Sequence, residues 1–103
     1  IDAQGIRILE QEIRDAKEAQ EDARESLTDV MAEQLKMERQ VDSTRKQLAI
    51  YDQAIRKLLE QEDEKLAAET AEKIADIEME LETEEAVLAT YNDQVMDLKV
   101  TIL

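Results

Sequence analysis

Leu58-Leu59-Glu60-Gln61-Glu62-Asp63-Glu64-Lys65-Leu66-Ala67 is the stretch on which the fold turns. On its N-terminal side a stripe recurs at alternating spacings of three and four: Ile6, Leu9, Ile13, Ala16, Gln20, Ala23, Leu27, Val30, Gln34, Met37, Val41, Thr44, Leu48, Tyr51, Ile55 and Leu58. Thirteen of these sixteen are apolar. A repeat of about 3.5 residues held this long winds a helix against a partner in a left-handed supercoil. Past Leu58 the same spacing meets only charge: Glu62, Lys65, Glu69, Glu72 and Asp76. A new stripe starts at Ala67 and runs through Thr70, Ile74, Ile77, Leu81, Glu84, Leu88, Tyr91, Val95, Leu98 and Ile102. The apolar seam has jumped by two residues, so a single straight helix would aim its two stripes in different directions.

A reversal of the chain at 60–64 lets the two stripes face each other. The pattern therefore predicts an all-α fold, a long antiparallel two-helix coiled-coil hairpin, with helix 1 over about 4–60 and helix 2 over about 64–103. A continuous helix with a local skip is the alternative. Asp63 fits the N-cap of the second helix, and the acidic cluster around it suits that helix's positive end. Folding back pairs Leu58 with Ala67, Tyr51 with Ile74, Leu48 with Ile77, Thr44 with Leu81, Gln34 with Tyr91 and Leu27 with Leu98. It also brings Arg45 toward Glu78 and sets Glu84 opposite Val41, where a carboxylate on the stripe reads as a register or flexibility device. Within the helices, Glu10–Arg14, Asp42–Lys46, Asp52–Arg56 and Glu69–Lys73 are spaced for favourable pairs of a few tenths of a kcal/mol each.

Composition supports a rod rather than a globule. The 103 residues include one Gly, no Pro, no Cys, no His, no Trp and no Phe, with 39% charged. Few turn residues mean few reversals, and the remainder is rich in the best helix formers. The net charge of −14 repels nucleic-acid phosphates and, for these residues themselves, an anionic lipid surface. No segment approaches the roughly 20 apolar residues that span a bilayer. With Ile1 first and the apolar pattern still running at Leu103, the chain reads as a piece of a larger protein.

The two stripes are unequal, and this points to binding rather than catalysis. Ile6, Leu9, Ile13 and Ala16 have no counterpart on the shorter second stripe. They require further sequence or another molecule to cover them. No His or Cys is present to act in catalysis, and a two-helix rod forms no pocket in which carboxylates could be tuned for it. Glu60–Glu64 lacks the alternating ligands and the Gly of a calcium loop, so no catalytic, metal or cofactor site is expected. From Ile74 to Leu98 there are eight acids and no base; this is either a solvated face or a docking surface for a basic partner. Off the seam, Met31, Leu35, Met96 and Val100 fall on one flank, either as scattered surface apolars or as a lateral contact for assembly.

Two segments carry a resemblance. Gly5-Ile6-Arg7-Ile8-Leu9-Glu10-Gln11-Glu12-Ile13-Arg14-Asp15-Ala16 resembles the start of the first long helix in the family of phage shock protein A and the vesicle-inducing protein in plastids. The family's L-x-Q-x-I-x-D pattern is matched by Leu9, Gln11, Ile13 and Asp15. Tyr51–Leu59 followed by Glu62–Ala67 is similar to the family's hairpin turn, although Glu62 stands nearest the usual Gly and Asp2-Ala3 replaces the common Asp-Pro. The closest likeness is to a divergent bacterial branch. The resemblance implies an ESCRT-III-like core that self-assembles into rings or rods. It also implies a cytoplasmic protein, peripheral to the inner membrane, that maintains or remodels it under stress, and touches lipid only through an amphipathic helix preceding Ile1. A second implied role is a regulatory module that inhibits an AAA+ transcriptional activator; a generic coiled-coil spacer is the third reading.

Overall fold

The computed structural model describes residues 1–102 as two helices, α1 (Ala3–Glu60) and α2 (Glu64–Ile102), folded back on each other. The molecule is a rod of 89 × 15 × 14 Å with a radius of gyration of 24.7 Å. A compact domain of this length would have about 13 Å. The hairpin expected from the seam jump is thus the observed fold, and its length is that of α1 alone.

The reversal is made without glycine. The Glu62 N–H bonds the Leu59 carbonyl at 3.1 Å and the Asp63 N–H reaches back to the Leu58 carbonyl at 2.9 Å. These two bonds make a Schellman turn, which satisfies carbonyls at the end of a helix and needs one left-handed residue just beyond it. That residue is Glu62, at φ 57°. Asp63 then starts α2 as its N-cap, its Oδ1 accepting from the Leu66 N–H at 3.1 Å. A side chain at a left-handed position costs about 1–2 kcal/mol, of which glycine's greater freedom in the unfolded chain would return part. Glu62→Gly is therefore expected to stabilise the hairpin by about 1 kcal/mol, seen as a higher urea midpoint. A lower midpoint would show that the Glu62 side chain contributes something the backbone account omits.

At the far end, Asp2 caps α1: its Oδ1 accepts from the Gly5 N–H at 2.7 Å. A Cβ at Gly5 would meet that same oxygen and the Ile1 side chain at 3.0 Å, so the chain's one glycine serves the close approach of a cap.

Between the helices lies one thin seam. Val41, Thr44, Ala67, Ile77, Glu84 and Val95 are buried. The other stripe positions from Ala23 to Leu58 and from Thr70 to Ile102 are half-buried. The stripe read from the sequence is thus the buried seam position by position.

The polar pairing differs from expectation in three places. Arg45, expected near Glu78, binds Glu85 at 2.9 Å. Glu84, expected opposite Val41, accepts from the Thr44 hydroxyl, three residues nearer the turn. Gln34, expected to pair with Tyr91, donates through Nε2 to Asn92 at 2.8 Å. The cause is the lean of side chains toward the N-terminus of their own helix. On α1 that direction is away from the turn, and on α2 it is toward the turn. Partners at equal height lean apart, whereas those slightly farther along α2 lean together. The intrahelical pairs Glu10–Arg14, Asp42–Lys46, Asp52–Arg56 and Glu69–Lys73 do not close: among the described residues Arg45–Glu85 is the one ion pair. Arg14 instead donates to Gln11 at 2.9 Å. Exposed charges gain little from closing such pairs and lose side-chain freedom by doing so.

Candidate interaction surfaces

α1 outruns α2 because 58 residues face 39. The excess forms an arm on which every residue from Ile6 to Asp22 is exposed. Ile6, Leu9, Ile13 and Ala16 point their stripe along it uncovered, with Ile13 at 55% exposure. Covered positions begin at Ala23, where α2 comes alongside. Where α2 ends, Thr101 and Ile102 form a notch of about 510 Å³ with Ile13, Ala16, Lys17, Ala19, Gln20 and Ala23. The walls are mainly small or aliphatic, suited to a packed helix rather than to chemistry. Lys17 is the notch's one ionisable group.

The second predicted surface is the flank beside the seam. Arg45 and Glu85 each directly follow a seam residue and touch each other, which shows that such positions on the two helices share one side of the rod. Met31, Leu35 and Met96 also directly follow seam residues, and Val100 lies one turn beyond Met96. The first three therefore belong to that side, whereas Val100 falls by helical spacing on the outer back with Asp93; all four are exposed. Met31 and Leu35 are neighbours on α1, as Met96 and Val100 are on α2.

Buried polar chemistry is confined to the middle of the seam. The Thr44 hydroxyl donates to Glu84 Oε1 at 2.5 Å, with Oε2 at 3.1 Å, and both residues are buried. The reading of Glu84 alone missed its partner. The signal was present, since Thr44 is one of only three polar residues on the first stripe and faces the same stretch of the second.

Charge is unevenly sorted between the two outer backs of the rod; the acidic run of α2 was read from the sequence, the basic line of α1 was not. Six of the 13 bases lie in residues 36–57. Of these, Lys36, Arg39, Lys46 and Lys57 sit opposite the seam on α1 by helical spacing, with no acid on that line between them. After Lys65, the corresponding line on α2 carries Glu69, Glu72, Asp76, Asp93 and Asp97 and no further base. Large apolar side chains also stand on the backs, among them Ile50 at 67% exposure on α1 and Met79 at 68% and Val100 at 69% on α2.

No group of three or more His, Cys, Asp or Glu among the described residues is arranged to hold a metal ion. Nor is any described helix long and apolar enough to cross a membrane. A model of the PspA/IM30 family matches residues 1–102. Among curated proteins and among solved structures nothing matches.

Proposed function

Because the chain belongs to the PspA/IM30 family, a non-enzymatic structural family of the phage-shock and membrane-stress response whose members self-assemble, we propose that this hairpin is an assembly element of a scaffold that maintains or remodels the inner membrane from its cytoplasmic face. The match along the rod removes the reading as an unrelated coiled-coil spacer. The observation that supports the assembly role most directly is the apolar surface left exposed beside the seam, at Met31, Leu35 and Met96. Ile6, Leu9 and Ile13 repeat the seam spacing with nothing laid on them. A stripe of this kind is stable in water only at a cost of roughly 25 cal/mol for each Å² of apolar surface left wet. Covering it, with further sequence of this chain or with another copy, recovers that free energy, and the flank of Met31, Leu35 and Met96, with Val100 a turn beyond, offers a second contact on the same rod.

Among the described residues Leu9 and Ile13 are exposed, so their role can be separated from folding. Leu9→Glu with Ile13→Glu is expected to leave the thermal midpoint of the hairpin nearly unchanged, within about 0.5 kcal/mol, as for other exposed positions. The same variant is expected to shift the full chain from assemblies to free subunits in sedimentation velocity. Glutamates at Met31, Leu35 and Met96 test the flank in the same way. Unchanged sedimentation in both variants would remove these surfaces from assembly.

A further inference from the structure

We propose that Met31 and Met96 form an oxidation site, at which a two-electron oxidant such as hydrogen peroxide turns the apolar flank polar and releases the contact made there. This rests on the assembly reading of the flank and adds the chemistry that undoes it.

Composition narrows where an oxidant acts. The chain has no Cys, His or Trp, and its four Met carry its only sulfur. Thioethers therefore take the place of the thiolates that peroxide ordinarily meets first. Tyr51 and Tyr91, the two aromatic residues, are half-buried in the seam. Met37 is half-buried there too, whereas Met31, Met79 and Met96 are 43%, 68% and 65% exposed. Met79 stands on the outer back of α2, and the residues one turn away on its own helix are Ala75, Asp76, Glu82 and Thr83. It belongs to no apolar patch.

Met31 and Met96 differ in that the fold brings them together. Each directly follows a seam valine, Val30 or Val95, and so lies on the flank that Arg45 and Glu85 mark. The Gln34–Asn92 and Thr44–Glu84 hydrogen bonds fix how α1 stands against α2. Between those two observed offsets Met31 falls level with Met96. Leu35, one turn from Met31 on α1 and 47% exposed, completes the patch. Two of the three exposed thioethers thus converge on one small apolar surface, from helices 65 residues apart in the chain.

The step itself is simple. The thioether sulfur attacks one peroxide oxygen, an S–O bond forms as the O–O bond breaks, and a proton passes to the departing oxygen. Sulfur loses two electrons and peroxide gains them; the products are a sulfoxide and one water. A flexible apolar side chain becomes a polar one, which disrupts contacts rich in methionine. Covering the new S=O acceptor without a donor costs free energy, and Leu35 beside it supplies none. Oxidant reaches the flank in free subunits, so the modification holds them apart. Reductases that act on each sulfoxide epimer return the thioether, which makes the change reversible.

The test treats dilute full chain with hydrogen peroxide, follows the gain of one oxygen at each methionine by peptide mass spectrometry, and reads assembly by sedimentation velocity. Oxidation is expected to raise the concentration for half-assembly about tenfold for each sulfoxide at Met31 and Met96, and treatment with the reductases to reverse it. Met31→Leu with Met96→Leu is expected to abolish this response, measured as the ratio with and without peroxide, whereas Met79→Leu keeps it. Met31→Gln with Met96→Gln, whose amides approximate the sulfoxide, is expected to weaken assembly with no oxidant present. If the parent chain assembles equally well after both flank methionines are oxidised, the oxidation site is wrong and the assembly reading stands. If the response survives the paired leucines, or the thermal midpoint of the hairpin falls along with assembly, the effect belongs to Met79 or to Met37 in the seam and the site is likewise overturned. A chain that does not assemble before oxidation overturns both.

Discussion

Ile77→Ala is expected to destabilise the hairpin by about 3 kcal/mol, which lowers the thermal midpoint of a chain of this size by roughly 12–24 °C. The seam is only one layer thick, and Ile77 is among its few fully enclosed side chains, at 2% exposure. Removing its outer carbons leaves a gap against α1 that two long helices, tied at a single turn, close only by bending. No second core stands behind the seam to absorb the loss. The comparison that isolates the cause is Met79→Ala, two residues along the same helix but 68% exposed, which is expected to change stability by no more than about 0.5 kcal/mol. Circular dichroism on both variants decides it. Equal effects would mean that helix propensity, rather than the seam, holds the hairpin together.

That contrast also explains how much of the molecule could be read beforehand. The seam was legible because burial in a coiled coil follows spacing alone. Each stripe residue from Ala23 onward is covered and each residue of the Ile6–Ala16 stripe is exposed. The turn was legible only through the two-residue jump. Its carrier, Glu62 in a left-handed conformation, has no signature in residue type, since glycine is what that position ordinarily selects. The pairings were less legible, because they depend on where side chains reach rather than where backbones lie. Arg45 finds Glu85 instead of Glu78 through the opposed lean of the two helices. The basic back of α1 escaped notice for a different reason, whereas the acidic run of α2 was legible as a stretch of eight acids without a base. Each base there is unremarkable by itself, and the line appears only when residues 36–57 are set on a helix against the seam.

Thr44 and Glu84 are expected to behave in opposite ways when each is made apolar. Glu84→Leu should stabilise the hairpin by about 2 kcal/mol, because a carboxylate leaves the buried seam and an aliphatic side chain takes its place. Thr44→Val alone should destabilise by a similar amount. It removes the hydroxyl that donates to the buried carboxylate and puts nothing in its place. In the Glu84→Leu background the same Thr44→Val change should be close to neutral, so a double-mutant cycle measured by urea unfolding reads out the pair. The value of keeping a costly pair lies in register. Apolar layers such as Leu48 and Ile77 tolerate a slide of one heptad, since they meet similar residues after it. A hydroxyl bound to one carboxylate does not tolerate it, and neither does the Gln34–Asn92 pair farther along. The stabilised Glu84→Leu chain is therefore expected to populate a second heptad register, visible as two distances between spin labels placed at Ser43 and Ala86. A single distance, unchanged from the parent, would show that the apolar layers and the turn fix the register without the buried pair.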